Sequence, residues 1–265
     1  MNVLILGSGK MGSWLATVMA GSHTVALFDT DPQKRQPIAG CSVLKGSGEI
    51  ADLAPELLVN CVSLQNIVSA FNQILPLIPP AAMLADVASI KGELPQFYAQ
   101  AGRRFVSIHP MFGPTFADTS RLQEENVVLV KESDEEGKEL FRSVFAELGL
   151  RIYEYSFADH DRMMAYSLTL PFVSSMVFSS CVSTNAVPGT TFRRHLEVAK
   201  GLLSEDDALL AEIIFNPHSL AQLETITSRL NFLWHIVKNR DSEEARKFFD
   251  RLRSNIRWQR EGAGT

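Results

Sequence analysis

Cysteine is scarce in this 265-residue chain: Cys41, Cys61 and Cys181 are all it has, with no metal-ligand spacing and no disulfide framework. A reducing, cytoplasmic setting is the expectation that follows. Charge of one sign is also missing. The 25 basic and 30 acidic residues leave a net charge of −5, which argues against a nucleic-acid groove. Glycine (16) and proline (12) stand at ordinary levels and exclude collagen-like or low-complexity chains. With 46% hydrophobic and 21% charged residues, disorder is excluded too. No leader or transit pattern is expected at the start, because Met1-Asn2 runs straight into a strand pattern. The length suits two packed units better than one small domain.

One long uncharged run is present. Residues 163–192 hold no charged side chain and no histidine, long enough to raise the question of a membrane span. Pro171 and the serines at 167, 174, 175, 179, 180 and 183 interrupt it. Serine can bond back to a helix carbonyl, so the serines alone do not exclude a bilayer. A single internal span would, however, strand the two halves on opposite sides of it. The expectation is a buried helix in a large helical interface, no membrane, and a homodimer formed through the second half.

Before residue 155, short apolar runs alternate with helical patterns. Strands are expected at 2–6, 24–28, 57–62, 83–87, 105–108, 127–130 and 151–154, with helices such as 11–20, 66–75 and 135–148 between them. Several runs are continuously apolar, as strands covered on both faces should be. This alternation predicts a doubly wound, mainly parallel sheet. After about Tyr155 strand signals stop. A serine start at Ser204-Glu205-Asp206-Asp207, apolar helical spacing from Pro217 and a second start at Asp241-Ser242 predict a helical second domain. The division is therefore 1–155 and 156–265.

Gly7-Ser8-Gly9-Lys10-Met11-Gly12 follows the first strand and opens a helix, matching G-x-G-x-x-G. The first glycine permits the tight turn, the second lets backbone approach a pyrophosphate, and the third allows close helix–strand packing. The helix N-terminus adds free N–H groups and a positive dipole. Asp29 ends the next strand, where a carboxylate accepts from an adenine ribose and repels a 2′-phosphate. NAD is expected, with NADP not excluded, since Lys34 and Arg35 lie close behind. Those two read equally well as solvated charges on a turn. Ser63 and Asp86, also near strand ends, complete the candidate cofactor contacts. The first domain is therefore expected to be Rossmann-like.

Two further segments lie where ligands of such sheets bind. Asp86-Val87-Ala88-Ser89-Ile90-Lys91-Gly92 is one; His109-Pro110-Met111-Phe112-Gly113-Pro114 is the other. An imidazole titrates near neutrality and suits proton exchange with a substrate hydroxyl. His109 is thus the candidate base, and Ser89 the candidate partner that orients the hydroxyl. A structural histidine capping a loop is the plain alternative.

With these segments and His160-Asp161-Arg162-Met163-Met164-Ala165-Tyr166, the chain resembles the prephenate and arogenate dehydrogenases of tyrosine biosynthesis. The resemblance implies an oxidative decarboxylation of a small molecule. Hydride leaves the ring carbon bearing the hydroxyl for a nicotinamide, carbon dioxide departs and the ring aromatises. It implies a catalytic His109 assisted by Ser89, and an all-α dimerisation domain entered at His160-Asp161. The chain also departs from the pattern. Thr169 and Phe172 stand where relatives often carry histidines, and Gly201 falls where an arginine usually meets a substrate carboxylate. Arg193, Arg194 and Lys200 are the candidate substitutes, though each also reads as ordinary surface charge. The competing readings are another two-domain dehydrogenase, such as a hydroxyacid dehydrogenase or a pyrroline-carboxylate reductase, and a regulator that senses NAD without turnover.

Overall fold

Val3, Leu4, Ile5 and Leu6 are all buried, because both faces of their strand are covered. The computed structural model describes residues 1–113, 122–183, 187–205 and 207–261, with side chains through residue 257. In chain order the first elements are β1 Asn2–Leu6, α1 Lys10–Met19, β2 Thr24–Phe28, β3 Cys41–Val43, α2 Gly48–Leu53, β4 Leu57–Asn60 and α3 Leu64–Ile74. Then follow β5 Met83–Asp86, α4 Leu94–Ala101, β6 Phe105–Pro110, β7 Asn126–Val130, α5 Glu135–Glu147 and β8 Arg151–Tyr155. The sheet order is β3-β2-β1-β4-β5-β6-β7-β8. All neighbours pair in parallel except β6 with β7, so the expected doubly wound, mainly parallel sheet is what forms.

Alternate residues of each strand point to opposite faces. Val3, Ile5, Val59, Ala85 and Ile108 join Leu15 and Met19 of α1 and Phe141 and Phe145 of α5 in one core. Leu4, Leu6, Leu58 and Leu84 join Ile67 and Phe71 of α3 and Leu94, Phe97 and Tyr98 of α4 in the other. Strand order reverses beside β1, whose neighbours are β2 and β4. The crevice at the carboxyl ends of β1 and β4 is where such sheets bind ligands.

Several strand ends shift, β7 and β8 by a single added residue. β4 and β5 end at Asn60 and Asp86, earlier than expected, because Asn60 and Asp86 spend their side chains bonding the turns that follow. β6 runs on to Pro110, because its last residues pair antiparallel with β7, His109 opposite Val128. His109 therefore belongs to the strand and does not follow it. The short β3 escaped the sequence pattern: three half-buried or exposed residues carry little apolar signal.

The later elements are α6 Phe157–Met164, α7 Leu170–Ser180, α8 Thr190–Leu202, α9 Asp207–Ile214, α10 Ser219–Asn239 and α11 Ser242–Glu261. Ser156 and Asp159 cap α6 reciprocally, the serine oxygen accepting from the Asp159 N–H at 3.1 Å and its hydroxyl donating to the carboxylate at 2.7 Å. The uncharged run is not one buried helix. A wide π turn spans Ala165–Thr169, just before Pro171, and α7 stops at Ser180. Among α7 residues only Val173 is fully buried, and Val177 is 47% exposed. Among the described residues no helix is long and apolar enough to cross a membrane. At the expected start near Ser204, the serine hydroxyl donates back to the Gly201 carbonyl at 2.8 Å; Asp206 lies outside the described residues. Asp241 does cap α11, accepting from the Glu244 N–H at 3.0 Å.

The chain divides into two compact units, Met1–Ser219 and Leu220–Thr265. In the second, Phe232 of α10 meets Phe248 of α11 edge-on at 5.4 Å, and the Arg251 guanidinium lies over the Phe232 ring.

Candidate active site

The turn after β1 is built by contact distances. Gly7 has φ +90°, and a Cβ there would sit 3.0 Å from the Cys61 carbonyl oxygen. A Cβ on Gly12 would lie 1.9 Å from the Gly7 carbonyl oxygen. Around Gly9 nothing lies within 4 Å of the added atom, so the space in front of the helix is open. No side chain caps α1, which leaves its first N–H groups for a ligand. Ser8 Oγ is buried without a hydrogen-bond partner among the described residues. A close-approach glycine, open space and free amide donors fit a pyrophosphate. Lys10 and Met11 lie on the first turn of α1, and Lys10 is exposed.

Asp29 locks the next strand end to that turn, accepting from the Ser8 N–H at 2.8 Å and the Asp31 N–H at 2.9 Å. Each oxygen keeps capacity for a ribose hydroxyl. Arg35 is not a solvated charge. It donates to the carbonyls of Asp29, Thr30 and Lys45, and its guanidinium lies over the Phe28 ring at 5.2 Å. Lys34 is exposed on a short 3₁₀ turn. Ser63, also exposed, accepts from Asn66 Nδ2 at 3.0 Å at the start of α3.

The segment after β5 hangs on one buried pair. Lys91 Nζ donates to Asp86 Oδ1 at 2.8 Å and to the Ile108 carbonyl at 2.7 Å, and both side chains are 0% exposed. Tyr98 OH takes the second Asp86 oxygen at 2.8 Å, and the Ala88 N–H shares the first at 3.0 Å. Asp86 is thus committed to holding the segment, with no exposed edge to offer a cofactor. Ser89 is half-buried between these anchors, and its hydroxyl bonds no described residue.

His109 lies at the meeting point. Its Nδ1 is 3.0 Å from His160 Nε2, and His160 Nδ1 is 2.9 Å from Asp161 Oδ1. Asp161 in turn accepts from the Lys91 N–H at 2.8 Å and the Gly92 N–H at 3.0 Å, while Asn216 Nδ2 donates to its carbonyl at 3.0 Å. So the strand histidine, the Ser89 segment and the start of α6 form one network. Phe112, two residues beyond Pro110, packs edge-on against Trp14 of α1 at 5.1 Å and ties the histidine segment to the glycine turn's helix. Pro114 lies outside the described residues.

Burial pushes His109 well below the usual histidine range, and the charges of His160 and Lys91 add to it. His160 is lowered as well, chiefly by burial, against the raising effect of Asp161. Burial works to raise Asp161, but bonds from His160 and the Lys91 and Gly92 amides outweigh it and hold the carboxyl low. Both imidazoles are therefore neutral near pH 7. An unfolded chain takes up these protons at about pH 6.5, which the fold refuses. Stability is complete above that pH and is lost as pH falls, with a slope that approaches about 1.4 kcal/mol per pH unit for His109, the more strongly lowered of the two, and with a smaller share from His160. Urea unfolding compared at pH 7 and roughly pH 5.5 should show the loss, and His109→Asn should flatten it by about one histidine's share. Equal slopes in wild type and variant would contradict the buried neutral state.

Two features escaped the sequence reading. His160 and Asp161 stood out only as family markers; adjacent acid and imidazole one turn after a Ser156 cap was the available signal. Lys91 stood out only within the Asp86–Gly92 segment that marks the family, and Tyr98 gave no signal; only the fold brings both to Asp86. The cations of α8 remain apart. Arg193, Arg194 and Lys200 are exposed, Lys200 pairs with Glu197 at 2.9 Å, and none bonds the His109 network among the described residues.

A family model described as prephenate dehydrogenase, nucleotide-binding domain, matches residues 16–154, more than half of the chain and starting just after the glycine turn. No curated protein matches. Among solved structures, prephenate dehydrogenase from Aquifex aeolicus, with hydroxyphenyl propionate and NAD+, is similar at TM-score 0.81 and 19% identity over 97% of each chain. Arogenate dehydrogenase from Synechocystis is similar at TM-score 0.73 and 19% identity, over 98% of this chain and 100% of that one. A reductive aminase from Aspergillus terreus, in complex with NADPH and ethyl-5-oxohexanoate, reaches TM-score 0.53 at 16% identity, over 90% and 77%.

Proposed function

Because the chain belongs to the prephenate dehydrogenase family, we propose that it oxidatively decarboxylates prephenate or arogenate, with NAD as hydride acceptor. The observation that carries this is a buried, neutral His109 whose Nδ1 is bonded within the protein, beside a half-buried Ser89. NAD, which the glycine turn and Asp29 would hold, would supply the acceptor for the hydride of the hydroxyl-bearing ring carbon. His109 receives the hydroxyl proton as the carbonyl forms, and Ser89 orients the hydroxyl. Loss of carbon dioxide then aromatises the ring, so orientation is most of the protein's task.

Asp29 supports NAD over NADP, and the commitment of Arg35 to backbone carbonyls removes a nearby cation for a 2′-phosphate. Residues 156–265 are assigned the substrate and dimerisation role, in a cytoplasmic homodimer. Arg193 and Arg194 supply the cation for a substrate carboxylate in this reading, since Lys200 is already paired. Dimerisation is supported by apolar side chains left open on α10, Leu220 at 67%, Trp234 at 54% and Val237 at 67% exposed. Sedimentation should give a dimer; a stable monomer at micromolar concentration would overturn that assignment.

The test of the reaction is direct. Each of prephenate and arogenate is mixed with NAD or NADP, and reduced nicotinamide and released carbon dioxide are followed together. Matched formation of both supports the reading. Binding of NAD without reduction by either substrate refutes it and favours a sensor.

A further inference from the structure

We infer that His160 and Asp161 are positioning residues that fix the His109 tautomer, so that Nε2 of His109 carries the lone pair used on the substrate hydroxyl. The inference rests on the proposed dehydrogenase reading for its purpose, but its geometry stands without it. An ionised carboxylate only accepts, so the His160 Nδ1 at 2.9 Å from Asp161 Oδ1 must bear the hydrogen. A neutral His160 then has a bare Nε2, which can only accept. His109 Nδ1, 3.0 Å away, must therefore be the donor. Neutral His109 is left with an unprotonated Nε2, and that nitrogen bonds no described residue.

The acceptor end of the chain is held by more than the histidine. Asp161 takes two backbone amides, those of Lys91 and Gly92, and so cannot turn away. The groups facing the histidine pair are Asp86 at the end of β5, Lys91 from the segment after it and Asp161 from α6. The Lys91 ammonium, bonded to the carbonyl of Ile108, opposes a second positive charge on the pair. That keeps the resting base neutral. When His109 takes the hydroxyl proton at Nε2, its Nδ1–H bond to His160 shortens no covalent path; the new charge is simply met by the Asp161 carboxylate through His160. No proton has to cross between the rings.

A purely structural role would make any bulky replacement at 160 equivalent. The tautomer role does not. Glutamine at 160 keeps an amide oxygen that can accept from His109 Nδ1–H, whereas leucine removes the acceptor. The experiment reads imidazole nitrogens by NMR in the whole protein without substrate, His109 being assigned by its loss in His109→Asn. Wild type should show His109 with Nδ1 protonated and Nε2 bare near neutral pH. His160→Leu should give a mixture of tautomers, and His160→Gln should restore the wild-type pattern.

In turnover, His160→Leu should lower kcat by about ten- to a thousand-fold with little change in KM, and His160→Gln should recover at least a part. His109 protonated at Nε2 in the wild type would overturn the inference outright. So would identical tautomers in His160→Leu and wild type. Because the spectra need no substrate, an inactive protein with the expected tautomer would refute the dehydrogenase reading alone. Should His160→Leu fail to fold, the wild-type spectrum and His160→Gln still decide.

Discussion

Replacing His109 by asparagine should lower turnover about a hundred- to ten-thousand-fold while leaving dinucleotide affinity intact. The expectation follows from where the imidazole lies. It is 4% exposed at the end of β6, in a place that only a ligand or a bonded neighbour can satisfy. Asparagine keeps some polarity but takes up no proton near neutrality, so chemistry is lost before packing is. If proton acceptance is used mainly as hydride departs, the loss falls on kcat and not on KM. Steady-state rates with the better substrate, alongside NAD titration, check both halves. Burial, His160 and Lys91 together keep His109 neutral well below the usual histidine range. The wild-type rate should therefore persist at mildly acidic pH and fall only once imidazolium forms. Near wild-type turnover in the variant would remove His109 from the role of base.

The second large effect belongs to the glycine turn. A methyl group at Gly12 would overlap the Gly7 carbonyl oxygen at 1.9 Å, with the Cys61 side chain at 3.3 Å behind it. Neither backbone can yield without separating α1 from β1, and overpacking of this kind typically costs about 1–3 kcal/mol or more. Gly12→Ala should therefore lower both thermal stability and NAD affinity, the latter by roughly tenfold to a hundredfold, at about 1.4 kcal/mol per tenfold. Gly9→Ala is the matched comparison. At φ −67° any residue fits, and the added Cβ meets nothing within 4 Å. Its Tm should match wild type while NAD binding weakens, because the methyl group occupies the space a pyrophosphate needs. Wild-type Tm and NAD affinity in Gly12→Ala would show that the turn is not packed as described.

Much of this was legible in the residues alone. Apolar runs without alternation announced strands covered on both sides, and the glycine spacing announced a phosphate turn, because both depend on local steric and hydrophobic rules that repeat in any chain. Asp29 at the second strand end could be placed by counting. The helices of the second half were legible from caps, as at Asp241, whose carboxylate does hold the Glu244 amide.

What the residues could not reveal is how long-range neighbours divide their hydrogen bonds. Asp86 looked like a cofactor contact at a strand end; Lys91 and Tyr98, together with the Ala88 amide, absorb it. Arg35 read either as a cation for a phosphate or as a solvated charge, and three carbonyls hold it. His109 looked like a loop residue, until antiparallel pairing with β7 extended its strand. The tautomer of His109 depends on His160, 51 residues away, and on a carboxylate fixed by amides some 70 residues before it in the chain. Periodicity and spacing report on a residue's own element. The protonation and direction of a buried polar group are decided by whichever partners tertiary packing forces beside it, since in a low-dielectric interior each donor and acceptor must be matched.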